Sequence, residues 1–231
     1  MTEVGWLEQA HADVPGGDDW LAPAERARLA GLRAPARRAD WRLGRWTAKR
    51  AVAAWLPGGG PPWASVEVRA ADDGAPEVLL QGRPASLVVS LSHRAGRAAC
   101  TVAPAGTLLG CDLELVERRS DAFVADYLTA PERGAVQAAA AADRPLLVAL
   151  VWSAKESALK ALRTGLRMDT RWVAVDPPAT AEPGRWHPLT VRHPATGRTF
   201  DGWWRHDARQ VLTMLAAPAP APPRPLRANG R

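Results

Sequence analysis

The stretch Thr107-Leu108-Leu109-Gly110-Cys111-Asp112-Leu113-Glu114-Leu115-Val116 decides the fold. Apolar and acidic residues alternate through it, the period of an extended strand. Residues two apart on a strand share a face, so Asp112 and Glu114 point one way while Cys111, Leu113 and Leu115 point into a core. Two carboxylates held side by side repel each other unless a cation sits between them or one takes a proton. An oxygen-only pair suits a hard cation such as Mg2+, completed by waters and a phosphate. The plainer alternative is a solvated edge strand, and the flanking sequence weighs between the two.

Downstream, Ser120 or Asp121 caps a short helix ending at Tyr127, and Thr129 with Glu132 forms a capping box for a helix over 131–142. Asp143 and Pro145 open a third helix, over 146–163, that Gly165 ends. Leu147, Leu150, Val151, Trp152, Ala154, Ala158, Leu159 and Leu162 make it apolar around most of its circumference. Ser153, Glu156, Lys160 and Arg163 form a narrow polar stripe. A surface Glu156–Lys160 pair would suit a helix with a broad wet face. This helix offers little solvent, which makes Glu156 a candidate functional carboxylate. Strands are predicted at 171–175, 187–193, 198–205 and 210–216, with turns at Asp176-Pro177-Pro178, Ala195-Thr196-Gly197 and Asp207-Ala208. The Pro/Ala/Arg stretch 217–231 reads as a disordered or extended tail.

Upstream, residues 1–20 suggest an early strand and a turn, and Pro23 opens a helix over 24–33. A longer helix spans 36–56 and stops at Pro57 and the glycines after it. Its apolar face takes Trp41, Trp46, Val52, Ala53 and Trp55. Arg38, Arg42, Arg45 and Lys49 fall at three- and four-residue steps and make one cationic stripe, offset only by Asp40. A phosphate-rich ligand would relieve that repulsion, and arginine suits bidentate phosphate contacts; the alternative is an ordinary solvated face. Period-two strands then run over 64–69, 77–81, 87–93 and 97–103. Ser92-His93 ends the third of these. Strand neighbours face opposite sides, so the two cannot form a nucleophile–base pair, but His93 could donate to a phosphate.

The 231 residues are 47% hydrophobic, ample for a core, and the net charge of +6 favours an anionic partner. Cys100 and Cys111 sit in apolar strand patterns and read as buried thiols rather than a redox or zinc motif. No apolar run reaches the ~20 residues of a membrane span, and the acidic, Trp-containing N-terminus is unlike a signal peptide. A cytoplasmic chain is expected. No solenoid repeat is present, but both halves run helices and then antiparallel-looking strands. The expected fold is α+β (α/β two-lobed), with two similar pseudo-twofold-related subdomains, each a small mainly antiparallel sheet packed with helices. The lobes would span 1–106 and 107–216.

Ser-Leu-Ser-His at 90–93, Gly-x-Asp-x-Glu at 110–114 and Trp-Ser-x-Lys-Glu-Ser-x-x-Lys-Ala at 152–161, in that order and spacing, resemble the 4'-phosphopantetheinyl transferases of the Sfp type. The segment 123–132 also looks like that family's intervening helices. The resemblance implies Mg2+-dependent transfer of phosphopantetheine from coenzyme A to a serine of an apo acyl or peptidyl carrier protein. Such carriers serve fatty acid, polyketide or nonribosomal peptide synthesis, and adenosine 3',5'-bisphosphate is released. It further implies metal binding by Asp112, Glu114 and Glu156, a pyrophosphate contact from Lys160, and coenzyme A contacts from Arg38, Arg45, Ser92, His93 and Lys160. For catalysis, Lys160 would stabilise the leaving oxygens, and Glu156, or a water it orients, is the candidate base by its nearness in sequence to the other reactive groups. Lys155 is the weaker candidate base. The partner would be acidic, matching the basic chain; no nucleic acid or membrane partner is expected, and a monomer would suffice. The family's Gly-Lys-Pro is replaced by Gly74-Ala75-Pro76 or Gly82-Arg83-Pro84, and its usual Ile or Val by Cys111. The rival from another class is a basic nucleic-acid-binding module using the Arg/Trp helix, which leaves the three carboxylates unexplained. A Mg2+-dependent phosphohydrolase is disfavoured by the lack of a Gly-rich phosphate loop.

Overall fold

A computed structural model describes residues 1–176 and 181–227. In chain order the elements are Gly5–Ala10 (β1), Pro23–Ala30 (α1), Pro35–Trp55 (α2), Val66–Ala70 (β2), Pro76–Leu80 (β3), Arg83–Pro84 (β4), Leu87–Arg94 (β5), Arg97–Pro104 (β6) and Leu108–Leu115 (β7). Asp121–Tyr127 (α3), Ala130–Ala138 (α4), Arg144–Ala161 (α5), Ala174–Val175 (β8), His187–His193 (β9), Arg198–His206 (β10), Gln210–Ala217 (β11) and Arg224–Pro225 (β12) follow. Helices thus alternate with antiparallel sheets, an α+β protein. Among the described residues no helix is long and apolar enough to cross a membrane.

The chain divides into two compact units. The C-terminal unit comprises Met1–Thr2 and Leu108–Pro223. Its sheet has the order β7-β11-β10-β9-β8 with every pairing antiparallel. α5 lies on β7 and β11. Its residues Val148, Val151, Ala154 and Ala158 bury against Val191, Phe200, Val211 and Leu215. The approach is closest at Gly110, where a Cβ would fall 1.8 Å from the carbonyl oxygen of Ser157. Gly110, Asp112 and Glu114 share a strand face, so the glycine admits the helix backbone beside the two carboxylates.

The N-terminal unit comprises Glu3–Thr107 and the chain from Arg224 onward. One sheet runs β12-β1-β6-β5 and a smaller one β2-β3-β4. Ala48, Ala51 and Val52 of α2 bury against Val89, Cys100 and Val102. Trp20, Leu21, Leu29, Leu32 and Trp46 close a second cluster.

Several expectations change. The helix predicted to run to 142 ends at Ala138, and the strand predicted over 171–175 is a 3-10 turn, Thr170–Trp172, before the short β8. The described part of the predicted disordered tail is ordered. Ala217 closes β11, Arg224–Pro225 pairs parallel with β1, and Leu226 is 4% exposed. Composition hides that single leucine, which seats over Gly5, where a Cβ would come within 2.6 Å of its side chain. Residues 228–231 and the turn predicted at Pro177-Pro178 lie outside the described residues.

The cationic stripe of α2 also reads differently. Lys49 is fully buried, ion-paired with Glu25 at 2.6 Å, and donates to the carbonyls of Trp20, Trp63 and Val66. Arg42 pairs with Asp18 and donates to the carbonyls of Pro15 and Gly17. Asp40 bonds His11 instead. Half of the stripe is therefore neutralised within the unit by groups distant in sequence.

Gly110→Ala is expected to lower unfolding free energy by roughly 3 kcal/mol or more, because a backbone oxygen, unlike a side-chain tip, cannot step aside. Urea denaturation of the two proteins measures it.

Candidate functional site

The site is built where β7 and α5 meet. Asp112 is 4% exposed, and its Oδ1 accepts from Lys160 Nζ at 2.7 Å. Lys160 also donates to the Cys111 carbonyl at 3.0 Å. Glu114 Oε1 accepts from Trp152 Nε1 at 3.0 Å, and its Oε2 from Arg119, also at 3.0 Å. Trp152 is itself fixed by edge contacts with Phe123 and Tyr127 at ring separations of 5.1 and 4.9 Å. Ser153 and Ser157, both fully buried, bond Thr213 Oγ1 of β11 at 2.9 and 2.7 Å, and Ser153 also donates to the Asp112 carbonyl. Ser153 of the predicted polar stripe thus joins Ser157 in a seam of hydroxyls sewing the helix to the sheet.

Glu156 lies within electrostatic reach of both strand carboxylates. Burial and then the Asp112 charge raise its pKa to about 7; Glu114 adds to this, and Lys160 pulls the other way. Burial disfavours the Lys160 ammonium, but the Asp112 carboxylate outweighs it and holds the lysine above its ordinary range. Asp112, Glu114 and Glu156 are oxygen donors of the kind that suits a hard divalent cation. Lys160 and Arg119 lie on two of those carboxylates. Among the described residues no group of three His, Cys, Asp or Glu side chains is arranged to hold a metal ion.

The structure therefore brings Asp112, Glu114, Glu156 and Lys160 together. Lys155, weighed as a base, points elsewhere: it is fully buried and paired with Glu132 at 2.9 Å. Arg38, Arg45, Ser92 and His93 belong to the other unit. Ser92 is buried and His93 exposed, on opposite faces of β5, beside the partners Ala99 and Ala98 on β6. Arg38 donates to the carbonyls of Leu29 and Leu32, at 2.5 and 3.2 Å. Arg45 stacks over Trp41 at 4.8 Å, and burial lowers its pKa. Sequence reasoning missed Arg119, Thr213 and the indole donor of Trp152. Arg119 sits in a loop with no periodicity, and Thr213 becomes a partner only through strand pairing.

A family model described as the 4'-phosphopantetheinyl transferase superfamily matches residues 108–198. No curated protein matches the chain significantly. Among solved structures, a holo-(acyl-carrier-protein) synthase from Bacillus anthracis in complex with CoA (3',5'-ADP) is 22% identical with a TM-score of 0.37, over 45% of this chain and 97% of that one. Helicobacter pylori holo-[acyl-carrier-protein] synthase in complex with coenzyme A is 17% identical with a TM-score of 0.34, over 44% and 99%. The Thermotoga maritima synthase is 20% identical with a TM-score of 0.35, over 52% and 80%. Asp112, Glu114, Glu156 and Lys160 all lie in the segment that the 4'-phosphopantetheinyl transferase superfamily model matches.

Proposed function

We propose that the chain transfers 4'-phosphopantetheine from coenzyme A to a serine hydroxyl of an apo carrier protein, releasing adenosine 3',5'-bisphosphate. The observation that carries this reading is the gathering of Asp112, Glu114, Glu156 and Lys160 between β7 and α5, inside the matched segment.

Asp112, Glu114 and Glu156 would hold Mg2+. When bound, the ion would bind the pyrophosphate and neutralise charge as the P–O bond breaks. Glu156, or a water it orients, would accept the proton of the attacking serine. Lys160 stays cationic and is suited to the oxygen of the departing nucleotide. Trp152 and Arg119 orient the Glu114 carboxylate. The nucleophile belongs to the partner, so this chain needs none of its own.

For coenzyme A the proposed contacts remain Ser92, His93, Arg38, Arg45 and Lys160. A cavity of about 260 Å3 in the C-terminal unit, where Arg118, Arg119 and Arg144 outnumber Asp121 beside Val124 and Val148, suits an acidic carrier. The pathway is proposed only as one that uses such carriers, and the setting as the cytoplasm, with the chain acting as a monomer. The nucleic-acid-binding alternative loses support from α2, because Lys49 and Trp46 are buried and offer neither charge nor stacking face.

Incubated with coenzyme A, Mg2+ and apo carrier protein, the chain is expected to add one phosphopantetheine group to the carrier, read by mass spectrometry. Asp112→Ala should lower the rate at least about a hundredfold; full activity would remove Asp112 from the site. A second expectation concerns pH. The folded chain holds the Glu156 proton more tightly than the unfolded chain, whose value is near 4.5. Its contribution to stability is therefore complete below 4.5 and lost as pH rises through about 7. In a chelator, Glu156→Gln should gain stability over the parent protein across that window and hold the gain above it; urea titrations on both sides of pH 7 measure the difference.

A further inference from the structure

Beside its apolar packing, α5 is held by two kinds of polar contact. At Gly110 the Ser157 carbonyl sets its distance from β7, and the hydroxyls of Ser153 and Ser157 grip the sheet. These polar contacts, with those of Trp152 on Glu114 and Lys160 on Asp112, reach only β7 and β11, and they constrain separation more firmly than roll. On another side of α5, Lys155 reaches into the protein, and its Nζ meets the Glu132 carboxylate at 2.9 Å and the carbonyls of Thr170 and Val173 at 3.0 and 2.6 Å. Glu132 is equally constrained: Oε2 accepts from Thr129 N at 2.7 Å and Oε1 from Val175 N at 2.8 Å. Both side chains are about fully buried. A lysine anchored at its tip, on a different face from the Gly110 seam, fixes the roll. The next residue in the chain is Glu156.

The N-terminal unit contains the same assembly. Glu25 accepts from Ala22 N at 2.8 Å and Val68 N at 2.9 Å, and pairs with the buried Lys49, which donates to the carbonyls of Trp63 and Val66. Arg26 donates to the Leu21 carbonyl as Arg133 does to that of Leu128. Each counterpart stands 106 or 107 positions further on, and the helices carry Trp46-Thr47-Ala48-Lys49-Arg50 and Trp152-Ser153-Ala154-Lys155-Glu156. The buried pair is thus a property of the scaffold, and the residue after its lysine differs: Arg50 in one copy, Glu156 in the other.

We infer that the Glu132–Lys155 pair is a positioning device that sets the roll of α5 and thereby places Glu156 against Asp112. This rests on the transferase reading for its catalytic consequence. Buried ion pairs are weak sources of net stability, and their best-attested role is to specify one arrangement.

The twin supplies the control. Glu132→Gln and Glu25→Gln each leave a buried lysine without its carboxylate, and both should lower Tm. Glu132→Gln should lower kcat by roughly a hundredfold with little change in KM for coenzyme A, and should abolish the difference in coenzyme A affinity between Mg2+ and EDTA measured by calorimetry. Glu25→Gln should keep both. The double variant Glu132→Gln/Lys155→Met removes the stranded charge and should recover Tm but not kcat, and its crystal structure should show Glu156 displaced from Asp112. Equal losses in the two single variants, recovery of kcat with Tm in the double variant, or an undisplaced Glu156 would each overturn the inference. A parent protein that neither transfers nor binds coenzyme A would overturn the transferase reading, and the displacement of Glu156 would still decide the positioning role.

Discussion

Everything at the site depends on a helix backbone pressing against a strand where one residue has no side chain. With Gly110 facing Ser157, α5 sits low enough for Ser153 to reach the Asp112 carbonyl and for Lys160 to reach the Asp112 carboxylate. The same closeness excludes solvent from Asp112 and raises the pKa of Glu156. Packing and electrostatics are therefore one constraint here: the depth of the helix sets the strength of the repulsion among the acids.

That repulsion is opposed by cations drawn from the protein itself. Lys160 lies on Asp112 and Arg119 on Glu114, while Glu156 is left to hold a proton more readily. A buried acidic cluster without these cations would be a much larger source of instability.

Much of this was legible in the sequence. Alternation across 107–116 identified the strand and the shared face of Asp112 and Glu114, and the narrow polar stripe on an apolar helix singled out Glu156 and Lys160. What escaped was every partnership that closes through long chain separations. Lys49 read as one cation of a stripe open to a phosphate-rich ligand or to solvent because Glu25 lies on another helix, and Leu226 vanished into a proline-rich composition. The recurrence of Trp-[Ser/Thr]-Ala-Lys was visible at positions 46 and 152, but no solenoid period flags a single duplication of about a hundred residues. Hydrogen bonds such as those of Thr213 depend on strand register, which local pattern does not specify.

The pairing of β12 with β1 has a consequence for how the chain acquires its structure. Domains fold as units while the polypeptide emerges from the ribosome. Yet the N-terminal unit borrows Arg224, Pro225 and Leu226 from a segment made only after the whole of the other unit. Until those residues appear, β1 is an open margin with bare amides and the groove above Gly5 has no filling. The edge of β1 thus stays open to mispairing for as long as residues 108–223 take to be translated.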